Sequence, residues 1–453
     1  VRLEVGDTTN ENMFKGGLFM KLFGTDGIRG VVNEELTPEI AFRLGNALGK
    51  YVSNRIFIAK DTRASGDMLE AAIIAGATAA GATVYRCGVL PTPALAIITK
   101  LEDAVGVMIS ASHNPPEFNG LKVISKGFKL PDEVEDNLEK RMKELHYVSY
   151  SEIGCVVDYK LAFEEYANYV IQQFPNLDLS GLKILVDAGN GAAYETTPYV
   201  LKQLGAKVEV INNNPDGYNI NVDCGSTNPE QAKKRMNNHN LAILHDGDAD
   251  RCILLDERKQ EVHGDKIMGM CAVQMKNEGR LKNDIVVGTV LSNMGLEVFL
   301  RKHGVKLLRA KVGDRYVLEQ MLEHGSNLGG ERSGHIIFLD KSTTGDGLIT
   351  ALETIRTMVL SGKKLSELAD EVPDYPQVML NIKCKNKLVV EHKDVKELIE
   401  KYKREDTDII VRPSGTEPLV RVFVQGPDEE YINNVAYEIA GKIEELVKGE
   451  ENA

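Results

Sequence analysis

No CxxC pair occurs among the six cysteines, Cys87, Cys155, Cys224, Cys252, Cys271 and Cys384. A zinc site or a disulfide framework therefore has no support, and a reducing cytoplasm is the expected setting. No run of 18 apolar residues is present to cross a membrane, and residues 1–19 lack the apolar stretch of a signal peptide. Basic charge is not in excess either. The formal net charge is -13, whereas a general nucleic-acid binder relies on a basic field to displace counterions. Low-complexity tracts are missing, and so is the GxxxxGK[ST] order of a Walker A loop. What these absences leave is a soluble protein with a small-molecule partner and neither nucleic acid nor membrane, expected as a monomer or homodimer.

A content of 43% hydrophobic and 27% charged residues over 453 positions suits several domains better than one core. Strand-like and helix-like runs alternate from residue 56 onward, the pattern of open α/β sheets. Strands are expected at 56–59, 83–85, 104–109, 183–186, 208–211, 241–244, 284–287 and 306–308, with helices between them. From Pro373 the texture changes to an antiparallel pattern with two helices, read as a smaller α+β domain. The expected division is an extension outside the fold at 1–19, then domains at 20–152, 153–255, 256–372 and 373–453.

The most informative segment is Asp246-Gly247-Asp248-Ala249-Asp250-Arg251, which directly follows the apolar run Leu241 to Leu244. Three carboxylates crowded at a strand exit repel one another, by roughly 4 kcal/mol per pair at about 4 Å and an effective dielectric near 20. A hard divalent ion with oxygen ligands removes that cost, and magnesium is the first candidate. Solvated turn aspartates are the plain alternative. The segment Ile109 to Val123 places Ser112 and His113 just past another apolar strand, where open α/β sheets bind ligands. Ser112 is either a nucleophile with His113 as its base, or the carrier of a phosphoryl group neutralised by the metal. Lys122 becomes a general base if its pKa is lowered. In GERSGH, Glu331 and Ser333 can accept sugar hydroxyls and His335 can serve as a second acid or base. In RPSGTEPLVR, Ser414, Gly415 and Thr416 between Arg412 and Arg421 make a phosphate cradle.

Five segments in order, FGTDGIRG at 23–30, SASHNP at 110–115, DGDADR at 246–251, GERSGH at 330–335 and RPSGTEP at 412–418, resemble the signature loops of the α-D-phosphohexomutases. Coverage runs from Met20 to about Lys448. STTGDG at 342–347 and KVGDRYV at 311–317 are most similar to the bacterial amino-sugar branch of that family. The resemblance implies four domains around a central cleft, three related α/β mixed-sheet domains and a smaller C-terminal α+β domain. It implies a phosphoserine at Ser112, with Mg2+ held by that phosphate and Asp246, Asp248 and Asp250. Lys122, His335, Arg29 and Arg251 are implied at the reacting centre. Thr25, His113, Glu331, Ser333, Arg412, Ser414, Gly415, Thr416 and Arg421 are implied in substrate binding. The implied reaction moves a phosphoryl group between the 6 and 1 oxygens of a hexosamine phosphate, with glucosamine 1,6-bisphosphate or a similar hexose bisphosphate as intermediate. Glucose or mannose phosphates, a metal-dependent phosphatase and a non-catalytic phosphosugar-binding regulator are the alternatives.

Overall fold

The computed structural model describes residues 21–24, 26–384, 386–404, 406–414 and 419–451. The extension expected at 1–19 lies outside them, as do Thr25, Gly415 and Thr416. Among the described residues, twenty strands form four sheets. The first contains β1 (Phe23–Gly24), β2 (Gly27–Val31), β3 (Arg55–Lys60), β4 (Thr83–Val89), β5 (Val105–Ile109), β6 (Phe118–Ser125), β7 (Phe128–Lys129) and β8 (Val156–Asp158). Its order is β1-β2-β6-β5-β3-β4-β8, with β7 paired to β6. The second contains β9 (Lys183–Asp187), β10 (Lys207–Ile211), β11 (Leu241–His245), β12 (Cys252–Asp256) and β13 (Glu261–Val262), in the order β10-β9-β11-β12-β13. The third contains β14 (Ile285–Thr289), β15 (Lys306–Ala310), β16 (Leu328–Gly330) and β17 (Ile336–Phe338), in the order β15-β14-β16-β17. The fourth is antiparallel throughout: β18 (Gln377–Lys383), β20 (Leu419–Gln425) and β19 (Asp408–Pro413), with β20 in the middle.

The first three units repeat one design. In each, three parallel strands run in the spatial order second, first, third, and a fourth returns antiparallel beside the third: β4-β3-β5-β6, β10-β9-β11-β12 and β15-β14-β16-β17. The turn from third to fourth strand is therefore equivalent in all three units. It carries the serine segment in the first, the acidic segment in the second and the GERSGH segment in the third.

Among the elements outside the sequence expectation, three bear on the site. Strand β6 carries Asn119, Gly120 and Lys122 in buried positions, so neither alternation nor an apolar run marks it. Helix Gly347–Ser361 is buried at most of its positions and shows no polar face, the usual periodic cue. Its start is set by Asp346, whose carboxylate accepts from the N–H groups of Leu348 and Ile349. Hairpin β1–β2 precedes the region where strand patterning begins. In addition, β8 joins the first sheet beside β4, beyond residue 152 where the first domain was expected to end.

One apolar core runs through the first three units, joining Phe57 and Met108 to Ile184, Ile243, Met268, Val286 and Leu352. The C-terminal unit has its own core, built on Val395, Val422, Val424, Val435 and Ile439. Between them, the Asn293 side chain donates to Tyr375 O and accepts from Tyr375 N, both at 2.9 Å. Asp374 pairs with Arg332 and His263.

Helices Pro38–Tyr51 and Gly66–Ala79 pack through glycines. A Cβ at Gly76 would lie 2.0 Å from the carbonyl oxygen of Phe42, and one at Gly45 would lie 2.2 Å from that of Ile73. Gly76→Ala must part the two helices and should destabilise the protein by about 1–3 kcal/mol. A lowered denaturant midpoint checks this; an unchanged midpoint would show that the helices can separate freely.

Candidate active site

Strand β11 is buried along its whole length, and the acidic turn sits at its exit. Asp246, Asp248 and Asp250 are all buried, and one ligand oxygen from each lies within 4.8 Å of the others. The turn folds this tightly because Ala249 takes a left-handed φ of 55° and because Gly247 has no side chain. A Cβ at Gly247 would stand 2.5 Å from the carbonyl oxygen of Ser112. Close approach of the serine loop thus dictates glycine here.

The trio is partly satisfied. Thr92 donates its hydroxyl to Asp248 Oδ2 and its N–H to Asp248 O (3.0 Å), and the Arg251 N–H donates to Asp246 Oδ1 at 3.3 Å. Asp248 Oδ1 and Asp250 Oδ1 are buried without any hydrogen-bond donor. Burial, reinforced by Asp250 and Asp248, pushes the Asp246 carboxyl up to about 8. Burial also works against the Asp250 carboxylate, but Lys122 and His335 outweigh it and hold this group well below the usual range. Three crowded carboxylates with unused oxygens fit a hard divalent cation.

The serine loop comes to meet them. Ser112, buried with φ 52°, donates from Oγ to Asp246 Oδ2 at 2.6 Å. Its Oγ is 3.5 Å from His113 Nδ1, so the carboxylate and not the adjacent imidazole is its close partner. Burial and the charges of Arg251 and Arg29 push His113 down to about 4, which leaves its ring neutral. A buried Asp61–Arg63 pair braces the loop. Ser110 donates to Asp61 (2.6 Å), and Arg63 donates to the carbonyls of Ser112 (3.0 Å) and Asn114 (2.8 Å). Asn221 of the second unit donates to Ser112 O at 2.8 Å. Arg29 reaches Ala111 O at 3.4 Å. Arg29 Nε and Arg251 Nε are both buried without an acceptor, spare N–H donors of the kind a phosphoryl oxygen takes up.

Lys122 returns to this site because β6 runs antiparallel to β5, pairing Lys122 with Met108. Its Nζ lies 2.8 Å from Asp248, 3.2 Å from Asp26 and 3.6 Å from Asp250. The lowered pKa on which a general-base role depended is not found. Burial disfavours the ammonium, but Asp248, Asp26 and Asp250 outweigh it and hold the pKa above that of an ordinary lysine. His335 lies between Asp250 (3.6 Å) and Asp314 (3.7 Å). Burial and a Gly345 N–H aimed at Nε2 (3.2 Å) favour the neutral ring, yet the carboxylates prevail and raise its pKa. The resting site therefore holds Lys122 as an ammonium and favours the protonated ring at His335. In the same turn, Glu331 accepts from the Gly313 N–H at 3.0 Å and from the exposed Ser333 at 3.3 Å.

In the fourth unit, Arg412 and Arg421 are direct partners across β19 and β20. Burial and the neighbouring Arg421 lower the Arg412 pKa. Ser414 is buried, and its N–H donates to Leu419 O at 2.9 Å. Sequence reasoning did not single out Asp26, Thr92, Asp61, Arg63 or Asn221. Asp26 lies inside the FGTDGIRG segment and could have been found there; the others carry no local signal.

Comparison with known proteins agrees with this geometry. Residues 20–148, 164–260, 263–375 and 379–442 match, in that order, the models of phosphoglucomutase/phosphomannomutase α/β/α domains I, II and III and C-terminal domain. A phosphoglucosamine mutase of Thermosipho africanus is 62% identical over 94% of this chain and 99% of its own. A phosphoglucomutase/phosphomannomutase family protein from Burkholderia thailandensis superposes with a TM-score of 0.81 at 23% identity, covering 94% of this chain and 98% of its own. An Aspergillus fumigatus N-acetylphosphoglucosamine mutase, solved in complex with GlcNAc-6P and magnesium, gives a TM-score of 0.59 at 18% identity over 85% and 82% of the chains.

Asp246 makes the site sensitive to pH. Without a cation it keeps its proton up to about pH 8, far above the range of an ordinary aspartate. The folded state then binds the extra proton, so stability of the metal-free protein falls as pH rises through that window. A cation must displace this proton, so Mg2+ affinity should rise between about pH 6.5 and 8 and then level off. Calorimetric titration of metal-stripped protein across that range checks it, and a pH-independent affinity would contradict it.

Proposed function

This chain belongs to the phosphoglucomutase/phosphomannomutase family, and on that premise we propose that it interconverts glucosamine 6-phosphate and glucosamine 1-phosphate through a phosphoserine at Ser112. The observation that carries the reading is the Ser112 hydroxyl 2.6 Å from one of three buried, clustered aspartates. The substrate assignment is supported by the 62% identity to a phosphoglucosamine mutase over nearly the full length of both chains.

In the forward direction, phosphorylated Ser112 gives its phosphoryl group to the free O1 of bound glucosamine 6-phosphate. The bond from serine Oγ to phosphorus breaks, the bond from phosphorus to sugar oxygen forms, and the sugar hydroxyl gives up its proton. The product is the 1,6-bisphosphate. It turns end for end, and Ser112 takes the 6-phosphoryl group back, leaving glucosamine 1-phosphate. Asp246, Asp248 and Asp250 would hold Mg2+, which would supply charge neutralisation for the phosphoryl oxygens. Arg29 and Arg251 each have an Nε–H free for such oxygens. Positioning and charge stabilisation are the main contributions in phosphoryl transfer. Lys122 and His335, whose pKa values are both raised in the resting site, act as proton donors: one protonates the departing serine oxygen and, so discharged, takes up the proton given up by the attacking sugar hydroxyl, and the return half-reaction runs the same exchange in reverse. Glu331 and Ser333 face the sugar. Arg412, Ser414 and Arg421, with Gly415 and Thr416, grip the phosphate that is not reacting, and Thr25 and His113 complete the substrate contacts.

Ser112→Ala should abolish exchange between the two sugar phosphates while the fold persists; steady-state turnover by this variant would remove the serine carrier. Arg421→Ala should raise KM roughly 10- to 100-fold with a smaller change in kcat, through loss of charge-assisted bonds worth about 1.5–3 kcal/mol. Comparative kinetics on glucosamine, glucose and mannose 1-phosphates, with the matching bisphosphate supplied, test the substrate. The highest kcat/KM should belong to glucosamine, and free phosphate release without exchange would indicate a phosphatase instead.

A further inference from the structure

Six ionisable side chains beside the acidic turn close into a ring in which aspartates alternate with lysine and histidine nitrogens. Lys122 Nζ lies 3.6 Å from Asp250 Oδ2 and 3.2 Å from Asp26 Oδ2. Asp250 Oδ2 is 3.6 Å from His335 Nδ1, and His335 Nε2 is 3.7 Å from Asp314 Oδ2. Lys129 closes the circuit, with its Nζ in contact with both Asp314 Oδ2 and Asp26 Oδ1. The ring draws on three units. Lys122, Lys129 and Asp26 come from the first sheet and its turns, Asp250 from the second unit, and Asp314 and His335 from the third.

Lys129 has a particular place in it. Its partners are Asp26, which leans on Lys122, and Asp314, which leans on His335, so it stands between the two proton-transfer candidates without touching either aspartate neighbour of Ser112. Strand β7 fixes it there, pairing Lys129 with Ile124 two residues beyond Lys122. The adjacent Arg315 fastens the third unit to the same segment, donating to Leu130 O at 3.0 Å and Glu135 Oε2 at 2.9 Å. With its side chain only 14% exposed, the ammonium is the group that lets two carboxylates from different units come together. Burial opposes charge on Asp26 and Asp314, but their lysine neighbours outweigh it and keep both pKa values low.

We propose that Lys129 is a positioning residue for phosphoryl exchange: by bridging Asp26 and Asp314 it fixes the separation and aim of Lys122 and His335, which stand on different units. This rests on the mutase reading. Removing the ammonium leaves Asp26, still held by Arg29 and Lys122, facing Asp314 with no cation between them, and the two carboxylates are pushed apart. Lys122 and His335 follow the carboxylates they lean on. Misplacement of an acid or base by about 1 Å costs on the order of 10²-fold in rate, with little effect on substrate affinity.

The test uses the full-length enzyme with glucosamine 1-phosphate, Mg2+ and a hexose 1,6-bisphosphate, with rates expressed per phosphorylated active site so that misfolded protein does not count. Lys129→Met should lower kcat about 10²-fold while KM stays within about threefold, and Lys129→Arg, which restores a cation, should recover most of that loss. Asp314→Asn should give the same kcat-selective loss, and the Lys129→Met/Asp314→Asn double variant should be no slower than the worse single variant. A kcat per active site that stays within about threefold of the parent in Lys129→Met, or losses that multiply in the double variant, would overturn the proposal. Should Lys129→Met fail to fold, Asp314→Asn decides alone, and an unchanged kcat there overturns it. Exchange-inactive parent enzyme would instead sink the mutase reading, an outcome distinct from a fully active parent with an indifferent Lys129.

Discussion

Three carboxylates buried within 4.8 Å of one another are the constraint from which the rest of the site follows. Like charges at that range repel by roughly 4 kcal/mol per pair even at an effective dielectric near 20. The protein answers with Lys122, Arg251 and His335, with hydroxyls from Ser112 and Thr92, and with a proton retained on Asp246. Even so, two of the six carboxylate oxygens keep no donor. A cluster this incompletely satisfied is built to receive positive charge, and the serine hydroxyl lies where that charge will be. A phosphoryl group on Ser112 brings further negative charge to the same place, which the spare guanidinium N–H groups of Arg29 and Arg251 are equipped to share.

The fold delivers these groups by repetition. In each of the first three units, a third parallel strand turns back into a fourth antiparallel one, and that hairpin turn holds the chemistry: Ser112 after β5, the aspartates after β11, Glu331 to His335 after β16. The fourth unit uses a hairpin too, between β19 and β20, with two arginines paired across its base. A tight turn at a sheet end carries few side chains of its own and presents what it carries at close quarters. Glycine decides how close. Gly247 lies against the serine carbonyl, and a Cβ at Gly334 would stand 2.3 Å from the carbonyl of Cys252, so adjoining turns meet backbone to backbone.

Much of this was legible in the sequence, and for definable reasons. The alternating strands and helices, the change of texture at Pro373 and the four loops are local patterns, and local patterns survive being read one residue at a time. Lys122 was singled out by its place shortly after Ser112, although it stands on a strand whose buried Asn119, Gly120 and Lys122 hide its character. The lowered pKa on which its general-base role was conditional is opposed by the three carboxylates that surround it. Those partners come from residues 26, 248 and 250, and no spacing rule links them. Arg63, Thr92 and Asn221 were invisible for the same reason: each makes its decisive contact with a residue far along the chain.

The division of cores bears on how a bisphosphate could turn within such a site. Both proton-transfer candidates are held by side chains from three units that share one apolar core, so they cannot follow the substrate when it reverses. The fourth unit has a core of its own and meets the third through Gln425, which accepts from the Met294 N–H at 3.0 Å and donates to Ser292 O at 3.2 Å. The stretch that joins it is not a slack tether. Tyr375 is pinned by Asn293, and Asp374 is pinned by Arg332 at 2.8 Å. Arg332 stands between Glu331 and Ser333, so any rotation about this stretch pulls on the turn proposed to hold the sugar.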